Sequence, residues 1–165
     1  GKSYYYRVVA LNQAGSSEPS NIVGPVRIKY LTQVDKARNF AVLDESNGIE
    51  LKTGDYRSYK EAFSRLSGKK GSWIKYDVSA PIQKVEVFTY ERSQENALSF
   101  EYADSSLIYR PVDTKVSNFS SKEKNYDYLI PKKYTLSGLD FGRIKIIFSD
   151  KSEIVRSEID YIAKD

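Results

Sequence analysis

Short runs of alternating apolar and polar residues, set off by Gly, Pro, Asn, Asp and Ser, recur along most of the chain. A period of two marks a strand with one face in a core. Trp73–Val78 shows it clearly: Ile74, Tyr76 and Val78 fall on one face, Trp73, Lys75 and Asp77 on the other. Similar runs predict strands over Tyr4–Leu11, Ile82–Tyr90, Leu98–Ala103, Leu107–Val112, Val116–Ser120, Tyr126–Leu136, Arg143–Phe148 and Glu153–Ile162. The short link at Lys151 and Ser152 predicts a hairpin between the last two strands. Helical spacing is scarce. Tyr59–Leu66 fits a short helix or a strand, and Asp35–Phe40 has room for one helical turn. No segment sustains a 3.6-residue period, which argues against all-α and α/β folds. The predicted class is all-β, an antiparallel sandwich.

Composition narrows the chemistry. The 165 residues include no Cys and no His. Disulfides, zinc–thiolate sites, thiolate nucleophiles and histidine-based triads are therefore ruled out, leaving carboxylates, Lys, Tyr and Ser. A glycosidase needs two carboxylates across a cleft, and no motif singles out such a pair. The net charge is +4, but residues 35–165 hold 22 basic and 21 acidic side chains, alternating in sign. A nucleic-acid module would gather basic charge on one element, so no nucleic-acid partner is expected. No apolar run reaches the ~18 residues of a membrane-spanning helix, so no membrane insertion is expected.

Gly24-Pro25 punctuates the chain, and the mixed stretch Arg27–Val34 follows. The expected organisation is an N-terminal piece over 1–26, a linker over 27–34 and a main domain over 35–165. Tyr4-Tyr5-Tyr6-Arg7-Val8-Val9-Ala10, then Asn12, Ala14-Gly15 and Ser17-Glu18-Pro19-Ser20-Asn21, resemble the C-terminal part of a fibronectin type III domain. The resemblance covers about a quarter of such a ~100-residue sandwich. Residues 1–26 are therefore expected to be poorly ordered or to lend a hairpin to a neighbouring sheet, since a lone hairpin is marginal in water. Residues 35–165 resemble a galactose-binding-like jelly roll. The resemblance is carried by Gly71-Ser72-Trp73-Ile74-Lys75-Tyr76-Asp77-Val78, by Pro81-Ile82 through Val85-Glu86-Val87, and by Phe100-Glu101-Tyr102-Ala103-Asp104-Ser105 through Tyr109. Arg143–Phe148 and Glu158-Ile159-Asp160-Tyr161-Ile162 resemble its last strands, whereas Ala103-Asp104-Ser105-Ser106 departs from its usual Ser-Asp-Gly turn.

Together these resemblances imply a jelly-roll β-sandwich behind a fibronectin type III remnant. They imply a non-catalytic carbohydrate-binding module of a secreted or cell-surface bacterial enzyme, with a glycoside hydrolase or polysaccharide lyase as the tethered catalytic domain. The partner implied is a polysaccharide, neutral or acidic. A structural spacer and an adhesion or docking module remain the alternatives. The jelly-roll resemblance further implies a structural calcium, with Asp35 and Asp160 at the two places where its ligands stand.

Sugars are held by flat aromatic faces against ring C–H groups and by planar polar groups on hydroxyls. Residues 35–165 carry ten Tyr, seven Phe and one Trp, most of them needed for a core. The loop Thr53–Tyr59 offers Tyr56, Arg57 and Tyr59; Tyr109-Arg110 follows a turn; Tyr126 follows the charged run Lys122–Asn125. Trp73 is either a platform or a core residue. Arg92, in the polar loop Glu91–Asn96, supplies a hydroxyl-bonding group or is simply solvated.

Overall fold

The computed structural model describes residues 3–27, 29–54, 64–119, 129–139 and 142–163. The described residues form strands and no helix. In chain order the first eight strands are β1 (Ser3–Tyr6), β2 (Leu11–Asn12), β3 (Gly15–Ser16), β4 (Val23–Arg27), β5 (Lys29–Asp35), β6 (Glu45–Asn47), β7 (Glu50–Thr53) and β8 (Ser64–Gly68). The others are β9 (Trp73–Asp77), β10 (Ile82–Glu91), β11 (Leu98–Ala103), β12 (Tyr109–Pro111), β13 (Lys115–Asn118), β14 (Ile130–Leu139), β15 (Arg143–Phe148) and β16 (Ser152–Ala163).

Two antiparallel sheets pack as a sandwich. One has the order β13-β14-β10-β16-β8-β7, with β5 also on β16; the other has the order β12-β11-β15-β9-β6. Between them lies one apolar core. Val85, Val87, Tyr134, Leu136, Ile154 and Ile159 come from the first sheet, Ile74, Tyr76, Phe100, Ile144, Ile146 and Phe148 from the second. The strict alternation of Arg143–Phe148 explains why β15 is central: every second side chain is buried and its neighbours are half-exposed. The second half of β10 is buried on both faces, because Phe88 and Tyr90 are covered on the outside by Phe119, with ring centroids 5.4 and 5.6 Å away.

At one end of the core a charged pair is buried. Lys132 Nζ lies 2.9 Å from Glu91, and both are almost fully enclosed. Glu91 also accepts hydrogen bonds from Tyr134 Oη at 2.6 Å and Thr89 Oγ1 at 2.9 Å. Lys132 donates to the carbonyls of Gln94 and Glu95. These bonds satisfy two groups that would otherwise destabilise the core and pin the loop that carries Arg92.

Three local expectations change. The short link after β15 does not make a hairpin, because β15 and β16 belong to different sheets. The end of β15 is held instead by Ser72 and Ala97: Phe148 N donates to Ser72 O, and Ser149 N to Ala97 O. A short link fixes proximity and not pairing, and here it turns the chain from one layer to the other. Most of the stretch expected as a linker is β5, paired with β16 from Lys29↔Ala163 to Asp35↔Ser157. Residues 37–42 form bends and turns in place of a helical turn, and the described end of the segment open to either reading, from Ser64, belongs to the strand Ser64–Gly68.

Residues 3–27 form separate small sheets, β1 with β4 and β2 with β3. Their apolar side chains are largely uncovered: Val8 is 71% exposed, Leu11 80% and Ile22 69%.

Candidate functional site

The outer face of the five-stranded sheet follows directly from alternation. β9 turns Ile74 and Tyr76 inward, leaving Trp73, Lys75 and Asp77 half-exposed. β15 leaves Arg143, Lys145 and Ile147 on the same outer side. Register then aligns them across the sheet: Glu45 is opposite Lys75, Lys75 opposite Lys145, and Lys145 opposite Glu101. Asp77 is opposite Arg143.

Two lysines directly opposite one another repel. Each is flanked by a carboxylate on its far side: Lys75 bonds Glu45, and Lys145 lies 3.2 Å from Glu101. Aromatic rings supply the rest. Lys75 Nζ sits 4.7 Å from the Trp73 ring centre and 5.3 Å from that of Tyr109. Lys145 Nζ sits 5.6 and 5.8 Å from the same two rings. The negative face of an aromatic ring attracts a cation, so Trp73 and Tyr109 border a pair of ammonium groups. Tyr109 is opposite Ala103 on β11, whose short side chain leaves its ring room on the sheet.

The electrostatics agree with this arrangement. The hydrogen bond to Glu45 raises the pKa of Lys75 against a smaller lowering by burial. Burial alone would raise Asp77, but hydrogen bonds from Arg143 and Ser79 outweigh it and hold its carboxyl below the usual value. Burial raises the Tyr109 phenol, while Lys75 pulls it the other way.

Of the expected site residues, the structure brings Trp73 and Tyr109 to one face. Arg110 is exposed and next to Tyr109 on β12, so it alternates to the other side. Arg92 lies in the exposed loop after β10, away from this face in the sequence of strands. Tyr56, Arg57, Tyr59 and Tyr126 lie outside the described residues. The residues that complete the face, Lys75, Lys145, Glu45 and Glu101, were not singled out from sequence. The alternation of Trp73–Val78 does place Lys75 beside Trp73, but the register that brings in Lys145 is a tertiary fact.

Asp35 and Asp160 do not converge. Asp35 is opposite Ser157, and Asp160 is three residues further along β16. That odd spacing sends the two carboxylates to opposite faces. Asp35 is buried, accepting bonds from Ala37 N at 2.7 Å and Tyr76 Oη at 2.8 Å. Burial, then the Asp35 charge, raises Tyr76 well above its ordinary pKa. Asp160 accepts from Thr32 Oγ1 at 2.6 Å and lies 3.4 Å from Lys84. The pair therefore does not fit one calcium ion. Among the described residues no three carboxylates gather where they could hold a metal.

Fold and face together define an all-β sandwich with an aromatic- and lysine-lined sheet surface. No family model matches the chain, and no curated protein matches it. Solved structures do resemble it. The catalytic domain of a GH87 alpha-1,3-glucanase variant in complex with tetrasaccharides matches with a TM-score of 0.51 and 13% identity. A GH87 alpha-1,3-glucanase catalytic domain in complex with nigerose matches with a TM-score of 0.50 and 14% identity. Each match covers 81% of this chain and 28% of the glucanase chain. At this identity the likeness is one of fold, and the chain spans just over a quarter of the length of those chains.

Proposed function

We propose that the chain is a non-catalytic polysaccharide-binding module of a secreted carbohydrate-active enzyme, and that the Trp73–Tyr109 face takes the sugar. The observation that carries this is the pair of half-exposed rings bordering two ammonium groups on a solvent-facing sheet. Rings stack on pyranose C–H faces, and the lysines and their carboxylates bond hydroxyls. The fold likeness to glucanase chains solved with bound oligosaccharides supports the association with such enzymes. The small matched share of those chains supports a module tethered to a larger protein. The exposed apolar residues of 3–27 support a remnant of a larger sandwich, consistent with the fibronectin type III resemblance.

A non-catalytic role is supported by the carboxylates themselves. Glycoside cleavage needs a carboxyl that stays protonated near neutral pH. On this face Glu45, Glu101 and Asp77 are each tied to a cation, and the carboxyl of Asp77 is held below its ordinary pKa. A module binds weakly and acts by raising the local concentration of its catalytic partner at the polymer. The complete internal pairing of the charges favours one second reading, a structural spacer. Affinity electrophoresis against neutral and acidic polysaccharides separates the two. Retardation by at least one polymer, lost in Trp73→Ala and Tyr109→Ala with the fold intact, is the expected result; no retardation by any polymer leaves the spacer.

A further inference from the structure

A second feature shares no lining residue with the Trp73–Tyr109 pair, although it adjoins the start of β9, where Asn47 is opposite Trp73. It is a cleft of about 490 Å³, lined among others by Gly48, Glu50, Lys52, Gly68, Lys69 and Lys151. Three lysines and one exposed glutamate thus share its lining. They come from three separate places: Lys52 from β7, Lys69 from the turn after β8, and Lys151 from the crossing between β15 and β16. Among the described residues, Lys69 and Lys151 make no ion pair. Lys52 is only loosely held, 3.9 Å from a Glu153 oxygen, while Arg65 binds the other oxygen of that carboxylate at 2.7 Å.

The walls are built rather than incidental. Ser72, 2% exposed, donates from Oγ to Gly48 O at 2.8 Å and accepts from Lys69 N at 3.2 Å. One buried hydroxyl thereby ties the turn between β6 and β7 to the turn between β8 and β9. Gly48 has φ +66°, and a Cβ there would stand 2.8 Å from Ser72 Oγ. A Cβ on Gly68 would meet the Phe148 ring at 2.5 Å, so the end of β8 rests directly on the core. A preformed cleft loses little freedom on binding.

We infer that this cleft binds the oxyanion, a carboxylate or sulfate ester, of an acidic sugar. One exposed lysine contributes little, but three lining one concavity focus their field. Each ammonium is a compact charge with three donors that suits oxyanions. The lysine stems and Ile49 offer apolar contact to a sugar ring. The lining holds no aromatic side chain on which a nucleotide base could stack. The cleft uses none of the residues of the sheet face, so either site stands without the other.

The test is amide chemical-shift titration of the whole chain with trigalacturonate and N-acetylglucosamine 6-sulfate, with galactose and inorganic sulfate as controls. Both acidic sugars should move the amides of Gly48, Gly68 and Lys69, and galactose should not. Lys69→Gln combined with Lys151→Gln should weaken that binding about tenfold, with an unchanged circular-dichroism melt. Inorganic sulfate binding as tightly as the sugars would reduce the cleft to a bare-ion site and overturn the assignment. A silent cleft would overturn it too, even where Trp73 and Tyr109 respond and the sheet-face reading survives. A responsive cleft beside a silent sheet face would uphold it and remove the sheet face as a sugar site.

Discussion

The two sheets of the sandwich both set cations against carboxylates, and they do so differently. On the seven-stranded sheet Lys133 is 2.9 Å from Glu86, Glu86 is 3.1 Å from Lys84, and Lys84 is 3.4 Å from Asp160. Like charges opposite one another are each met by an opposite charge there: Glu86 is opposite Glu158, which Arg156 bonds at 3.0 Å, and Lys52 is opposite Arg65, with Glu153 against both. The rings beside this charge network are closed over: Phe88 is buried, with the Arg156 guanidinium 4.0 Å from its centre and Phe119 packed against it. On the five-stranded sheet three cations meet three carboxylates, and the like-charged pair Lys75 and Lys145 has two half-exposed rings as neighbours. Pairing of charge therefore does not distinguish the sheets. The placement of the rings does: Trp73 and Tyr109 are half-exposed beside their cations, whereas Phe88 is buried beneath Arg156.

The largest effect should come from the layer that both faces share. Ile146→Ala removes a fully buried side chain and should cost about 2–5 kcal/mol in urea unfolding. It should weaken any binding only through loss of folded protein. Next, Trp73→Ala should abolish most retention in affinity gels, while Glu86→Gln on the opposite face leaves retention unchanged. Equal losses from both would break the distinction between the faces. Lys75→Gln and Glu86→Gln should each cost no more than about 1 kcal/mol, since their ion pairs are partly exposed, but only the first should alter retention.

The smallest effect concerns acid. For Glu86, burial raises the pKa, but bonds from Lys133 and Lys84 prevail and hold it below the ordinary 4.5. Asp77 is held below 3.8. A lowered carboxyl pKa contributes stability above the unfolded value, lost as pH falls through the folded one. Glu86→Gln should therefore flatten the stability curve below pH 4.5, and Asp77→Asn only below 3.8. Unchanged acid limbs would show that these ion pairs contribute nothing to stability. At the other extreme, burial raises Tyr76 and Tyr134, so stability should fall as pH rises above 10 in wild-type protein.

Much of this architecture is legible in alternation. Leu98–Ala103 and Arg143–Phe148 are strands with the expected bounds, because each has one face in the core and one in water. What alternation does not carry is the identity of the neighbour. Nothing near Lys151 says that the chain changes sheets there. Likewise Lys29–Asp35 reads as mixed because its side chains are mostly exposed at the far edge of β16. The face around Trp73 was half visible for the same reason: Lys75 is two residues away, but Lys145 arrives only through closure of the sandwich. The cleft lysines share no local pattern at all, being brought together by Ser72 and by the crossing turn.

One strand sets the order in which the molecule can be assembled. β16 pairs with β10 along one edge and with β8 and β5 along the other, and it follows all three in the chain. During synthesis each of those earlier strands leaves the ribosome with an unpaired edge. The longest wait falls on β5, whose Thr32 bonds Asp160 across 128 residues of chain. Such distant closure is slow, and exposed edges invite association with other chains. A nascent chain halted before Ser152 should therefore be the form of this protein most in need of a chaperone.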